Sequence, residues 1–174
     1  MQAVCQYITT TGIASILSTD GSYHLYQWIL SSGTYSSNTS LNTKITSPMY
    51  AGWGLVADSS KNIYMTDSTK HVIFKIQPSG DYSVFAGTYG TSGATDGTQT
   101  GAGSNSTSGS GSKFNGITGV TIDSSGNLYA SDTGNNLIRK ITPAGVVTTI
   151  AGSTRRSVVK KRSRRPSLGN LSRG

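Results

Sequence analysis

The stretch that decides the fold runs from Gly119 to Gly152. It begins Gly119-Val120-Thr121-Ile122-Asp123-Ser124-Ser125-Gly126-Asn127-Leu128-Tyr129 and ends Thr142-Pro143-Ala144-Gly145-Val146-Val147 through Ile150-Ala151-Gly152. Short apolar or β-branched runs alternate with turn formers. Gly119–Asp123, Leu128–Asp132, Leu137–Ile141 and Val146–Ala151 read as strands. The turns between them are 124–127, 133–136 and 142–145. Each turn carries Ser, Asn, Gly or Pro where a reversal needs positive φ or a preset φ. Three reversals in 34 residues describe an antiparallel meander and leave no room for a helix.

The same pattern occurs earlier. Residues 54–87 align on 119–152 without a gap, at an offset of 65, with 14 of 34 positions identical. Asp58, Asn62, Asp67, Pro78 and Gly80 keep their places, while Lys61 stands where the later copy has Gly126. A left-handed residue at that point would strain Lys61 by about 1 kcal/mol. Runs such as Ile63-Tyr64-Met65 and Leu128-Tyr129-Ala130 are apolar on both sides of a strand. That suits a sheet stacked between two others better than one with a wet face. A repeated unit that cannot bury its own faces stacks on its neighbours. Further upstream, Ile8 to Leu17 matches Ile76 to Phe85 in spacing, with Gly12 at the Gly80 position. Residues 1–18 are therefore expected to be the last two strands of a preceding, partial unit.

Composition agrees with an all-β class. The 174 residues include 22 Gly and no Glu, with abundant Ser, Thr and Asn. Strong helix formers are few. The net charge of +8 is unevenly placed: residues 1–154 carry seven Lys or Arg against seven Asp, whereas 155–174 carry eight Lys or Arg and no acid. A single cysteine, Cys5, excludes an intramolecular disulfide. No run approaches the ~18 apolar residues of a membrane span, and the first twenty residues show no signal-peptide pattern. Sequons at Asn38, Asn105 and Asn170 are what a Ser/Thr-rich chain produces by chance.

The expected organisation is a partial N-terminal unit at 1–18, a connection at 19–47, a complete unit at 48–87, a loop at 88–113, a second complete unit at 114–153 and a basic disordered tail at 154–174. Within 87–113, 20 of 27 residues are Gly, Ser or Thr. Such a segment buries too little apolar surface to offset its ordering entropy. Residues 19–47 are different in holding Tyr23, Tyr26, Trp28, Ile29 and Leu30, which are expected to pack, with an extra strand as one form.

With the repeat laid out, Phe114-Asn115-Gly116-Ile117, Gly126-Asn127-Leu128-Tyr129, Ser131-Asp132, Asn135-Asn136-Leu137-Ile138-Arg139-Lys140-Ile141 and Pro143-Ala144-Gly145 closely resemble the NHL repeat. The family's Asn-His-Leu triplet stands here as Asn135-Asn136-Leu137 and as Lys70-His71-Val72. The likeness covers about residues 48–153. It implies a β-propeller built from four-stranded antiparallel blades; here two blades are complete and one is partial. Family members mostly bind proteins or RNA, and a related group holds metal-assisted lyases. Two complete blades and a part cannot close a ring that needs at least four. The chain is therefore expected to be a fragment, or to complete its ring by association.

No catalytic, cofactor-binding or metal-binding residue is assigned from the sequence. His71 sits at the triplet and reads as structural; His24 has no better case. Zinc or catalytic chemistry would need clustered partners that the sequence does not show. Asp58, Asp67, Asp123 and Asp132 recur at matched positions, which suits turn capping more than a unique site. The run Asp123-Ser124-Ser125-Gly126-Asn127 lacks the alternating acids of a calcium loop. Lys160-Lys161-Arg162-Ser163-Arg164-Arg165 could meet phosphates or act as a nuclear address, and Ser167 fits a basophilic kinase site. The tail has no interleaved aromatic for base stacking. Lys70, Lys75, Arg139 and Lys140 add positive charge to the body, balanced by aspartates. The reading that results is a non-catalytic binding scaffold whose partner is a protein, or further blades, met through loops such as 87–113. A metal-assisted lyase or lactonase type of propeller, or an RNA-binding one, is the alternative.

Overall fold

The computed structural model describes the backbone of residues 4–8, 14–19, 25–31, 34–37, 52–100 and 111–154, and the side chains of 54–100 and 111–154. His24, the loop centre 101–110 and the tail 155–174 lie outside the described residues. What is described is β-structure, with a single 3-10 turn at Thr133–Asn135.

The described strands form three antiparallel sheets. The N-terminal sheet orders β1 (Val4–Ile8), β2 (Ala14–Thr19), β3 (Leu25–Ser31) and β4 (Thr34–Ser37) side by side. The second orders β5 (Gly52–Ala57), β6 (Ile63–Asp67), β7 (Val72–Ile76) and β8 (Tyr82–Ala86). The third orders β10 (Ile117–Ile122), β11 (Leu128–Asp132), β12 (Leu137–Ile141) and β13 (Val146–Gly152), with β9 (Gly97–Thr98) added beyond β13 as a fifth strand. The repeat is repeated in register. Both meanders slip between their first two strands, and both bulge between the third and fourth, at Phe85 and at Ile150.

In the N-terminal sheet Ile8 pairs Ala14 across the hairpin, as the matched glycine spacing requires of a reversal. The structure gives these strands the first two places in their sheet, and β1 stands beside β5 as β5 stands beside β10. The third and fourth places go to Leu25–Ser31 and Thr34–Ser37, where the spacing suggests a connection. One hairpin's spacing cannot say which hairpin of a meander it is.

The turns confirm the local reading. Lys61 has φ 65° and Gly126 φ 80°, so Lys61 carries the left-handed strain that the glycine avoids. His71 and Asn136, also equivalent, are left-handed at φ 60° and 57°.

Two apolar layers hold the sheets. Leu55, Ile63, Met65, Val72, Phe74 and Ile76 form one on a face of the second sheet. Tyr64, Ile73 and Ala86 from its other face join Phe114, just before the third sheet, and Leu128, Ala130 and Ile141 of that sheet in the other. The second sheet is thus buried on both sides, as its two-faced strands predict. Close approach is built in at Gly54, where a Cβ would stand 2.6 Å from the Thr118 carbonyl oxygen of the next sheet.

Candidate interaction surface

The loop that precedes the third sheet is bound to it from both ends. Arg139, on β12, has a side chain with no exposed surface, and its guanidinium reaches four acceptors. Nη1 donates to Asp132 Oδ2 at 2.8 Å and to the Lys113 carbonyl at 3.1 Å. Nη2 donates to Asp96 Oδ1 at 2.8 Å and to the Thr95 carbonyl at 2.9 Å. The guanidinium lies 5.0 Å from the centre of the Phe114 ring. A planar fork with several donors suits this position, because two loop segments must be held at once.

Asp132 is fully buried and serves more than the guanidinium. Its Oδ1 accepts the Asn115 N–H at 2.7 Å, and its Oδ2 accepts from Asn135 Nδ2 at 2.8 Å. Asn135 donates in turn to the Gly93 carbonyl at 2.7 Å. Asp96 is half exposed and binds the middle of β13, accepting from Thr149 N and Oγ1 at 3.0 and 2.9 Å. Desolvation opposes ionisation of Asp96, but the Thr149 bonds and the Arg139 charge outweigh it and hold its carboxyl below the usual range.

Backbone contacts complete the seam. Gly97 and Thr98 pair Val147 and Val146, while Thr88 Oγ1 donates to the Ser112 carbonyl at 3.0 Å. A Cβ at Gly111 would collide with the Thr98 carbonyl. The described ends of the loop are therefore ordered on the sheet edge and present Thr91, Ser92, Thr95 and Thr98 to solvent.

The aspartates read from the sequence take two roles. Asp58 caps its turn, accepting from Asn62 N and Nδ2 at 2.8 Å and from the Tyr64 hydroxyl at 3.3 Å. Asp123 does the same with Asn127 and, at 3.1 Å, with Tyr129. Burial first, then the Asp58 charge and hydrogen bond, push the Tyr64 phenol up to about 12. Asp67 accepts the Thr69 and Lys70 N–H groups at 2.9 Å. Asp132 departs from turn capping because Arg139 reaches it. In the second sheet the Arg139 position is Phe74, which packs edge-on with Tyr82 and Tyr89.

His71 binds the two sheets together, its Nδ1 accepting the Gly116 N–H at 3.1 Å. Of the four cations credited with surface charge, Arg139 is withdrawn into the interior. Lys70, Lys75 and Lys140 lie over Tyr89, Tyr64 and Tyr129 at 5.4, 5.9 and 5.9 Å. Among the described residues no three His, Cys, Asp or Glu side chains stand close enough to share a metal ion. Nor is any described helix long and apolar enough to cross a membrane. The sequence showed Asp132 and Arg139 but not that Asp96, 43 residues from Arg139, joins them.

The NHL repeat family model matches residues 114–141. No curated protein matches the chain. Among solved structures, a Bacteroides thetaiotaomicron protein of unknown function is 22% identical with a TM-score of 0.65, over 87% of this chain and 35% of its own. An auxiliary nutrient binding protein from Bacteroides ovatus is 19% identical with a TM-score of 0.60, over 87% and 35%. Another of that description from Bacteroides thetaiotaomicron is 16% identical with a TM-score of 0.56, over 83% and 35%. The chain spans 35% of the length of each, and at these identities the likeness is one of fold. The chain carries an NHL repeat and is a partial β-propeller of antiparallel blades.

Proposed function

We propose that the chain is a non-catalytic binding scaffold that meets protein partners through the inter-blade loop 88–113. The observation that carries this reading is the Arg139 clamp. It orders both described ends of a Gly/Ser/Thr-rich loop against a rigid sheet, so the loop's exposed residues are presented with less freedom to lose on binding. The recurring carboxylates support the same reading, because Asp58, Asp67 and Asp123 spend their oxygens on turns. Two of the similar structures are described as nutrient binding proteins, which favours a binding role over a chemical one.

The test is crosslinking capture with the intact chain, a form lacking residues 101–110, and Ser79→Ala as a distant control. Loss of the same captured proteins from the loop-deleted form alone is expected. Identical capture by all three would remove the loop from the reading. Turnover of any substrate by the purified chain would show it to be catalytic.

A further inference from the structure

Asn115-Gly116 is the sole Asn-Gly pair in the sequence, and it lies where the second sheet meets the start of the third. An asparagine amide can close on its own chain, because attack by the next backbone nitrogen on the amide carbon makes a five-membered ring. Glycine as the next residue puts no side chain in the way of that closure. At Gly116 the backbone is left-handed, with φ 60°, and a Cβ built there would meet nothing nearer than the Gly134 nitrogen at 3.9 Å. The space beside the nucleophile is open.

A base stands on that nucleophile. The Gly116 N–H donates to His71 Nδ1 at 3.1 Å. An imidazole nitrogen that accepts this bond carries no proton of its own, and it is within reach of the proton that ring closure must remove. His71 comes from the turn between β6 and β7, in the neighbouring sheet. The electrophile is held from the other side. Asn115 donates its N–H to Asp132 Oδ1 at 2.7 Å, and its carbonyl accepts the Gly134 N–H at 2.8 Å. A Cβ at Gly134 would stand 2.8 Å from Asn115 Cγ and Nδ2, so glycine there leaves room for the amide. Asn115, Gly116 and His71 are each partly exposed, which admits water and lets a small product leave. At the offset of 65 the pair corresponds to Tyr50-Ala51, and His71 to Asn136. The arrangement therefore belongs to this junction and not to the repeat.

We propose that Asn115 is a self-modifying site, deamidated through a cyclic imide with His71 as the base. The Gly116 nitrogen bonds to Asn115 Cγ while its proton passes to His71 Nδ1. The Cγ–Nδ2 bond then breaks, His71 gives the proton to the departing nitrogen, and ammonia leaves. Water, the single co-reactant, opens the imide at either carbonyl and yields aspartate or isoaspartate. The product places a carboxylate on the residue whose N–H serves the buried Asp132. Isoaspartate also lengthens the main chain by one carbon between the Asp132 and His71 contacts. Both changes work against the union of the two sheets.

Peptide mapping by mass spectrometry tests this on the whole chain, incubated in neutral buffer and, in parallel, unfolded in guanidinium chloride. The folded chain should lose the Asn115 amide faster than the unfolded one, in which His71 is no longer held at Gly116. His71→Asn keeps a side chain that tolerates the left-handed turn, as Asn136 does at φ 57°. It should slow the folded chain at least about tenfold, since a positioned general base contributes roughly 10²–10⁴-fold. Circular dichroism must stay that of a β-protein; if His71→Asn does not fold, the comparison of folded with unfolded chain carries the decision. A folded chain that loses the Asn115 amide no faster than the unfolded one would overturn the inference. So would a folded His71→Asn chain that falls short of the expected slowing.

Discussion

Phe74 and Arg139 hold the same place in two copies of one repeat, and their surroundings differ accordingly. The phenyl ring is satisfied by apolar neighbours, whereas the guanidinium needs acceptors, and the loop supplies three of its four. Removing one member of a buried ion pair leaves the other uncompensated. Arg139→Ala should therefore cost about 3–5 kcal/mol in denaturant unfolding. A double-mutant cycle with Asp132→Ala should show coupling well above about 0.5 kcal/mol. Lys61→Gly should act in the other direction, relieving strain by up to about 1 kcal/mol, set against the glycine's extra entropy in the unfolded chain. Asp96 sets a pH dependence. Folding lowers its pKa from an unfolded value of about 3.9, so its contribution is complete above that value and disappears as the pH falls through the folded one. Carboxyl chemical shifts should place the Asp96 midpoint below that of an unfolded peptide. Stability lost at acid pH should be smaller in Asp96→Asn.

Each sheet is judged by what covers it, and the second sheet is covered twice. Ile73, wholly buried between sheets, should cost about 2–5 kcal/mol on truncation to Ala, read from unfolding midpoints. Thr66→Val keeps the shape but removes the hydroxyl that accepts from Gly54 and donates to Thr118. Stranding the Thr118 carbonyl and the Gly54 N–H should cost about 1–3 kcal/mol. The strands of these sheets were legible because turn residues mark their ends: residues 128–132 and 137–141 fall where Asn127, Asn136 and Thr142 bound them. The third strand of the N-terminal sheet was legible only as one form its apolar residues could take, and the fourth, Thr34–Ser37, was not, since its Thr, Tyr and Ser residues carry no apolar alternation. Nor was β9, a two-residue strand with no periodicity of its own, held by pairing to Val146 and Val147.

The three sheets behave as a short stack, in which stability adds intrinsic and nearest-neighbour terms. The layer shared by the second and third sheets couples them, so a cavity at Ile73 should speed amide hydrogen exchange in β12 as well as in β7. Exchange that quickens in β7 alone would show that the sheets open separately. Sequence alone determined the repeat, the meander within it, the left-handed turn position shared by Lys61 and Gly126, and the two-faced strands. These follow from local sterics and from alternation along a strand, which each short segment carries in itself. Only the tertiary structure decided that Arg139 is buried between Asp96 and Asp132, that the loop ends lie ordered on a sheet edge, and that Ile138 is open where Ile73 is closed. Burial and charge pairing depend on which distant segment arrives at a side chain, and equivalent residues in a repeat do not record whether a neighbour follows.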